Sequence, residues 1–153
     1  MSKVAIVMGS GKDRPVMEKA ATTLDTFGVE NTMAVMSAHK TPDIALAFAE
    51  NAATDGYSVI IAGAGKAAHL AGVMAAKSLL PVIGVPLSAS LDGMDALLAT
   101  VQMPTGVPVA TVAIDGATNA ALLAVAILAL SDPQLTEQLM SYRERLAEVT
   151  LEG

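Results

Sequence analysis

Five short β-rich runs, each followed by a helix-forming stretch, constrain this chain more than any other feature. The runs are KVAIVM (3–8), ENTMAV (30–35), SVIIA (58–62), PVIGV (81–85) and PVATVAI (108–114). The helical stretches are expected near 14–27, 42–53, 67–79, 94–101, 118–130 and 133–149. Most of these runs are continuously apolar rather than alternating, so both faces of the sheet they form must be covered. Strands that each feed a helix then predict a three-layer α/β/α domain with a doubly wound parallel sheet of the flavodoxin-like kind.

Local chemistry agrees with these boundaries. Asp13 followed by Pro15, and Thr41 followed by Pro42, read as a cap and a proline at a helix start. No linker, low-complexity tract or internal repeat interrupts the pattern, and 153 residues suit one domain spanning 1–153 with a C-terminal helix at about 133–149. Aromatic residues make up 3% of a chain that is 53% hydrophobic, so aliphatic side chains and methionine must fill the core. So much apolar surface on a small domain also predicts burial between subunits.

Several function classes are disfavoured. The longest apolar run, Ala120 to Leu130, falls short of the roughly 18 residues that span a bilayer, which predicts a soluble, cytoplasmic protein. With no cysteine there is no disulfide or thiol chemistry, and two histidines far apart in sequence, without acidic residues clustered nearby, make no convincing metal site. A net charge of −6 gives no general affinity for nucleic acid or anionic membranes.

Ligands of open parallel sheets bind beyond the carboxyl ends of the strands. The relevant loops are GSGKDR (9–14), SAHKTP (37–42), AGAGKAAHLAG (62–72) and PLSASLDG (86–93). Lys12, Arg14, Lys40 and Lys66 gather there in a chain that is acidic overall, beside helix N-termini whose free N–H groups attract anions. A phosphorylated small molecule is the expected guest. Ser10 can donate to a phosphate; Asp13 either accepts from ribose hydroxyls or only caps its helix. GSGKDR lacks the third glycine of a dinucleotide fingerprint, and GAGKA at 63–67 fails as a phosphate loop because Ile60 and Ala67 stand where glycine and Ser/Thr are required. Both histidines fall on this edge. His39 has the right chemistry for proton transfer near neutral pH, and His69, placed just inside a helix, serves either proton transfer or a structural hydrogen bond.

Taken together, VAIVMGSxxD at 4–13, SAHKTPD at 37–43, VIIAGAGxAAHLxG at 59–72, PVIGVP at 81–86, VQMPTGVPVATVAI at 101–114 and NAALLA at 119–124 resemble the PurE family of purine biosynthesis. They occur in family order along nearly the whole chain and look like the class I form, the N5-carboxyaminoimidazole ribonucleotide mutases. The resemblance implies a homo-octamer, a phosphoribosyl aminoimidazole substrate, and no metal or organic cofactor. Position by position, it implies that Ser10 and Asp13 hold the ribose phosphate, that Lys40 is the phosphate cation, and that His39 is the general acid and base. The stretch Gly63, Ala64, Gly65, Lys66, His69 and Leu70 would surround the carboxylate and imidazole, with Ser37 also contacting substrate.

Four positions depart from the family pattern. Lys12 replaces the usual Ser, Lys40 the usual Arg, Lys66 the second Gly of AGAGG, and Ala71 the usual Pro. Lysine at 40 occurs in the class II form, which carboxylates aminoimidazole ribonucleotide directly with carbon dioxide; it keeps the charge and loses the bidentate fork. Lys66 either points outward, supplements a carboxylate site or marks a changed substrate. Retention of AAHL and QMPTGVPVATVAI favours class I. A nonenzymatic flavodoxin-like nucleotide-binding or signalling module is the competing class. It is disfavoured because Phe27, Phe48, Tyr57 and Tyr142 lie off the predicted edge, and the third strand ends in AGAG rather than a phosphoacceptor Asp.

Overall fold

A computed structural model describes residues 2–153. Its five strands, β1 (Lys3–Met8), β2 (Glu30–Val35), β3 (Tyr57–Gly65), β4 (Val82–Leu87) and β5 (Ala110–Thr111), form one sheet in the order β2-β1-β3-β4-β5. Every pairing is parallel. Six helices connect or follow them: α1 (Arg14–Thr26), α2 (Pro42–Asn51), α3 (Leu70–Lys77), α4 (Met94–Val101), α5 (Ala117–Ala129) and α6 (Pro133–Glu152). This is the expected flavodoxin-like order. The chain turns outward from β1 to β2, then returns past β1 to β3, so a crevice opens between the loops that follow β1 and β3.

Strand β1 shows why both faces must be apolar. Val4, Ile6 and Met8 pack into a cluster with residues of α1, α5 and α6, whereas Ala5 and Val7 face the cluster built with α2 and α3. All five are fully buried. Small residues bring α1 and α5 close: Ala20, Ala117, Ala120, Ala121 and Ala124 are also fully buried. Each fully buried Val, Leu or Ile side chain contributes about 1.5–3 kcal/mol. The two ion pairs among the described residues, Lys3 with Glu30 at 3.9 Å and Lys77 with Glu50 at 3.5 Å, keep substantial solvent exposure. Such pairs are worth about 0–1 kcal/mol each, so apolar burial and not surface charge holds the domain together.

Several boundaries differ from expectation, three of them with a local cause. The run 108–114 yields a strand of two residues, because Pro108 lacks an N–H and Asp115 adopts φ 58° just beyond it. Strand β3 continues to Gly65, three residues past the expected end, since Ala64 and Gly65 pair with Pro86 and Leu87. Helix α3 begins at Leu70, not 67. Before it, Ala68 N–H donates to the Lys66 carbonyl and His69 N–H to the Ala67 carbonyl, each at 2.8 Å, which holds 66–69 in tight turns. Among the described residues no helix is long and apolar enough to cross a membrane.

Candidate active site

The loops after β1, β2 and β3 converge on a cleft of about 580 Å³ at the carboxyl edge. The first is tied across the switch point by Gly9 N–H donating to the Gly63 carbonyl at 3.1 Å. Ser10 caps the short 3-10 turn Gly11–Asp13 by accepting from Lys12 N–H at 3.2 Å. Asp13 precedes α1 but makes no side-chain capping bond, contrary to the cap expected from sequence. Its carboxylate instead lines the cleft, where burial pushes it above its ordinary pKa against a smaller opposing effect of the Ser10 backbone.

Thr41 likewise departs from the expected cap, making no side-chain bond into α2. Its hydroxyl turns back, accepting from Ser37 N–H at 2.8 Å and donating to the Ser37 carbonyl at 3.2 Å. The Ser37 hydroxyl in turn accepts from the N–H groups of His39 at 3.3 Å and Lys40 at 3.1 Å. Two hydroxyls thus shape the loop that carries His39.

Far apart in sequence, the two histidines meet. His39 Nε2 lies 2.7 Å from His69 Nδ1, with the rings edge to face and 4.7 Å between centroids. His69 sits at the N-cap of α3 and not inside the helix, because the tight turns before Leu70 delay the helix start. One facing nitrogen must carry the hydrogen and the other must accept it. Uptake of a proton at one outer nitrogen, His39 Nδ1 or His69 Nε2, can drive that hydrogen across the bond and release the hydrogen of the other outer nitrogen. Such a pair can relay a proton between its two outer nitrogens.

Ser10, Asp13, Ser37, Lys40, Ala64, Gly65, Lys66 and Leu70 share the cleft wall with both histidines. Lys12 joins them; Arg14 does not, being carried away as the first residue of α1. Gly63 also lies outside the wall: a Cβ there would come within 2.4 Å of Met17 Sδ, so this glycine packs under α1. Gly65 admits the β4–α4 loop, since a Cβ there would lie 2.8 Å from Ala89 Cβ.

Gly9, Ala38, Ala67 and Ala89 complete the wall. They fall in or beside the loops that the sequence assigns to the ligand edge, but glycine and alanine carry no chemical signal of their own. Asp95 has no sequence signal either. It bonds to the Ser90 hydroxyl, which holds its carboxyl below the ordinary range, with a smaller contribution from the Lys66 ammonium.

A family model described as AIR carboxylase matches residues 3–149. The chain belongs to the AIR carboxylase family. Among members of this family, the N5-carboxyaminoimidazole ribonucleotide mutase of Pyrococcus abyssi is 56% identical over 145 residues, spanning 94% of this chain and 83% of the relative. The Escherichia coli K12 protein of the same name is 51% identical over 155 residues, covering 99% and 92% of the two chains. The crystal structure of Treponema denticola PurE aligns with a TM-score of 0.90 at 33% identity, over 99% of this chain and 96% of that one. The AIR carboxylase fold thus extends through the whole described chain, cleft loops included.

Proposed function

We propose that this chain is an N5-carboxyaminoimidazole ribonucleotide mutase, an isomerase of purine biosynthesis that moves a carboxylate from N5 to C4 of the imidazole. The observation that carries this reading is the His39–His69 pair at 2.7 Å within a cleft edged by Lys12, Lys40 and Lys66. Relatives bearing that name at 50% identity or more support it.

The chemistry follows from the substrate's carbamate. His39 protonates N5, the N–C bond breaks, and carbon dioxide leaves the uncarboxylated nucleotide. Small-residue walls from Ala64, Gly65, Ala67 and Ala89 keep carbon dioxide beside the ring. The electron-rich C4 attacks it, and the proton then displaced from C4 returns to the histidine pair. One proton is lent and recovered, so atoms balance without an oxidant or reductant. Lys40 and Ser10 hold the phosphate, and Asp13 accepts from the ribose.

Residues 1–153 act as one domain in this reading, and eight copies assemble. Apolar side chains open to solvent on the single chain, including Leu79, Leu130 and Leu151, support further burial between copies. A cytoplasmic location follows from a phosphorylated substrate that cannot cross a bilayer unaided.

The test offers purified protein the N5-carboxylated nucleotide and, separately, the uncarboxylated nucleotide with bicarbonate. Conversion of the first to the C4-carboxylated product is expected. Turnover of the second alone replaces this reading with direct carboxylation, and turnover of neither removes the enzyme assignment.

A further inference from the structure

Four non-glycine residues among those described have positive φ, and Lys66, at 54°, is the one in the cleft wall. Left-handed backbone disfavours any residue with a Cβ, and its persistence in a site asks for a function of the side chain. The turns from Lys66 to His69, closed by two 2.8 Å backbone bonds, fix the Lys66 backbone three residues before His69 on the cleft wall. Lys12 and Lys40 enter the cleft from the loops after β1 and β2. Neither of the two ion pairs formed among the described residues involves Lys66; Asp95 feels its charge but forms no ion pair with it, so among those residues the ammonium has no carboxylate at contact distance.

Resting on the mutase reading, the substrate carries two anions, a phosphate and a carboxylate. The cations on the first two loops serve the phosphate, and the second anion is the one that must lie against the histidines. We propose that Lys66 binds the migrating carboxylate and so discriminates carboxylated nucleotides from the uncarboxylated one. An ammonium attracts a carboxylate and not neutral carbon dioxide. Lys66 therefore strengthens binding of substrate and product alike and gives no assistance to the bond-breaking step. Its loss raises KM without lowering kcat.

Calorimetric titration of the C4-carboxylated and the uncarboxylated nucleotides into wild type, Lys66→Gln, Lys66→Gly and Lys66→Arg tests this directly. Lys66→Gly removes the charge while relieving the backbone, which guards against a folding failure of the Gln variant. Gln and Gly are expected to weaken the carboxylated ligand about tenfold and leave the uncarboxylated one unaltered, with Arg close to wild type. Equal weakening of both ligands overturns the proposal by assigning Lys66 to the phosphate. No change in either overturns it by leaving Lys66 a solvated lysine. If wild type binds neither nucleotide, the mutase reading itself fails and this assignment falls with it, a result separate from any behaviour of the variants.

Discussion

The two loops that bring the histidines together are built on opposite principles. The Ser37–Thr41 loop is shaped by side chains, with two hydroxyls accepting backbone N–H groups around His39. The Lys66–His69 loop is shaped by backbone alone, through its two 2.8 Å turns and one left-handed residue. Losing a side chain should therefore damage the first loop and leave the second intact. The histidine held by hydroxyls can be displaced by conservative substitution, whereas the one held by backbone cannot.

The largest effect should come from the histidines themselves. His39→Asn is expected to fold normally and lose about 10²–10⁴ in kcat, the usual worth of a positioned acid or base. His69→Gln, which keeps a hydrogen-bonding group in the backbone-held loop, should lose less. Equal losses, measured by steady-state kinetics, would show that the two act as one unit.

Next in size is the contrast between loops. Thr41→Val leaves the half-buried Ser37 N–H without its partner and should cost about 1–2 kcal/mol, with a several-fold fall in kcat as His39 loses its register. Lys66→Gly should instead raise stability by about 1 kcal/mol, seen as a Tm higher by about 2–4 °C, because glycine suits φ 54°. Thermal melts of both variants that moved in the same direction would erase the distinction.

The smallest effect concerns Asp13. Burial raises its folded pKa above the unfolded value, so its protonated form is favoured in the folded protein. That contribution is fully present below the unfolded carboxylate pKa and is lost as pH rises through the raised folded value. Asp13→Asn should consequently give a small gain in Tm at neutral pH that disappears in acid. A gain that grew on acidification would contradict burial as the cause.

Particular residues show how much of the fold and the site is legible in the sequence. The continuously apolar runs 3–8 and 58–62 require a sheet covered on both faces, and β1 and β3 provide its centre. Strand-then-helix order then puts the edge loops, and with them Ser10, His39 and Lys40, on one side. Capping fails as a reading of Asp13 and Thr41 for one reason. A residue type suited to capping a helix is equally suited to lining a site or bracing a loop, and only the surrounding partners decide which.

Glycines divide in the same way. Gly63 and Gly65 are two residues apart in one motif, yet Gly63 packs under Met17 and Gly65 admits Ala89 beside the cleft. Composition and periodicity determined the layers, the parallel sheet and the loops where chemistry would gather, because these follow from local hydrophobic pattern and chain direction. The 2.7 Å meeting of His39 with His69, the uncapped carboxylate of Asp13 and the strained placement of Lys66 were decided by tertiary structure alone. Each depends on how separate loops converge at the switch point between β1 and β3, and no local run of residues encodes that convergence.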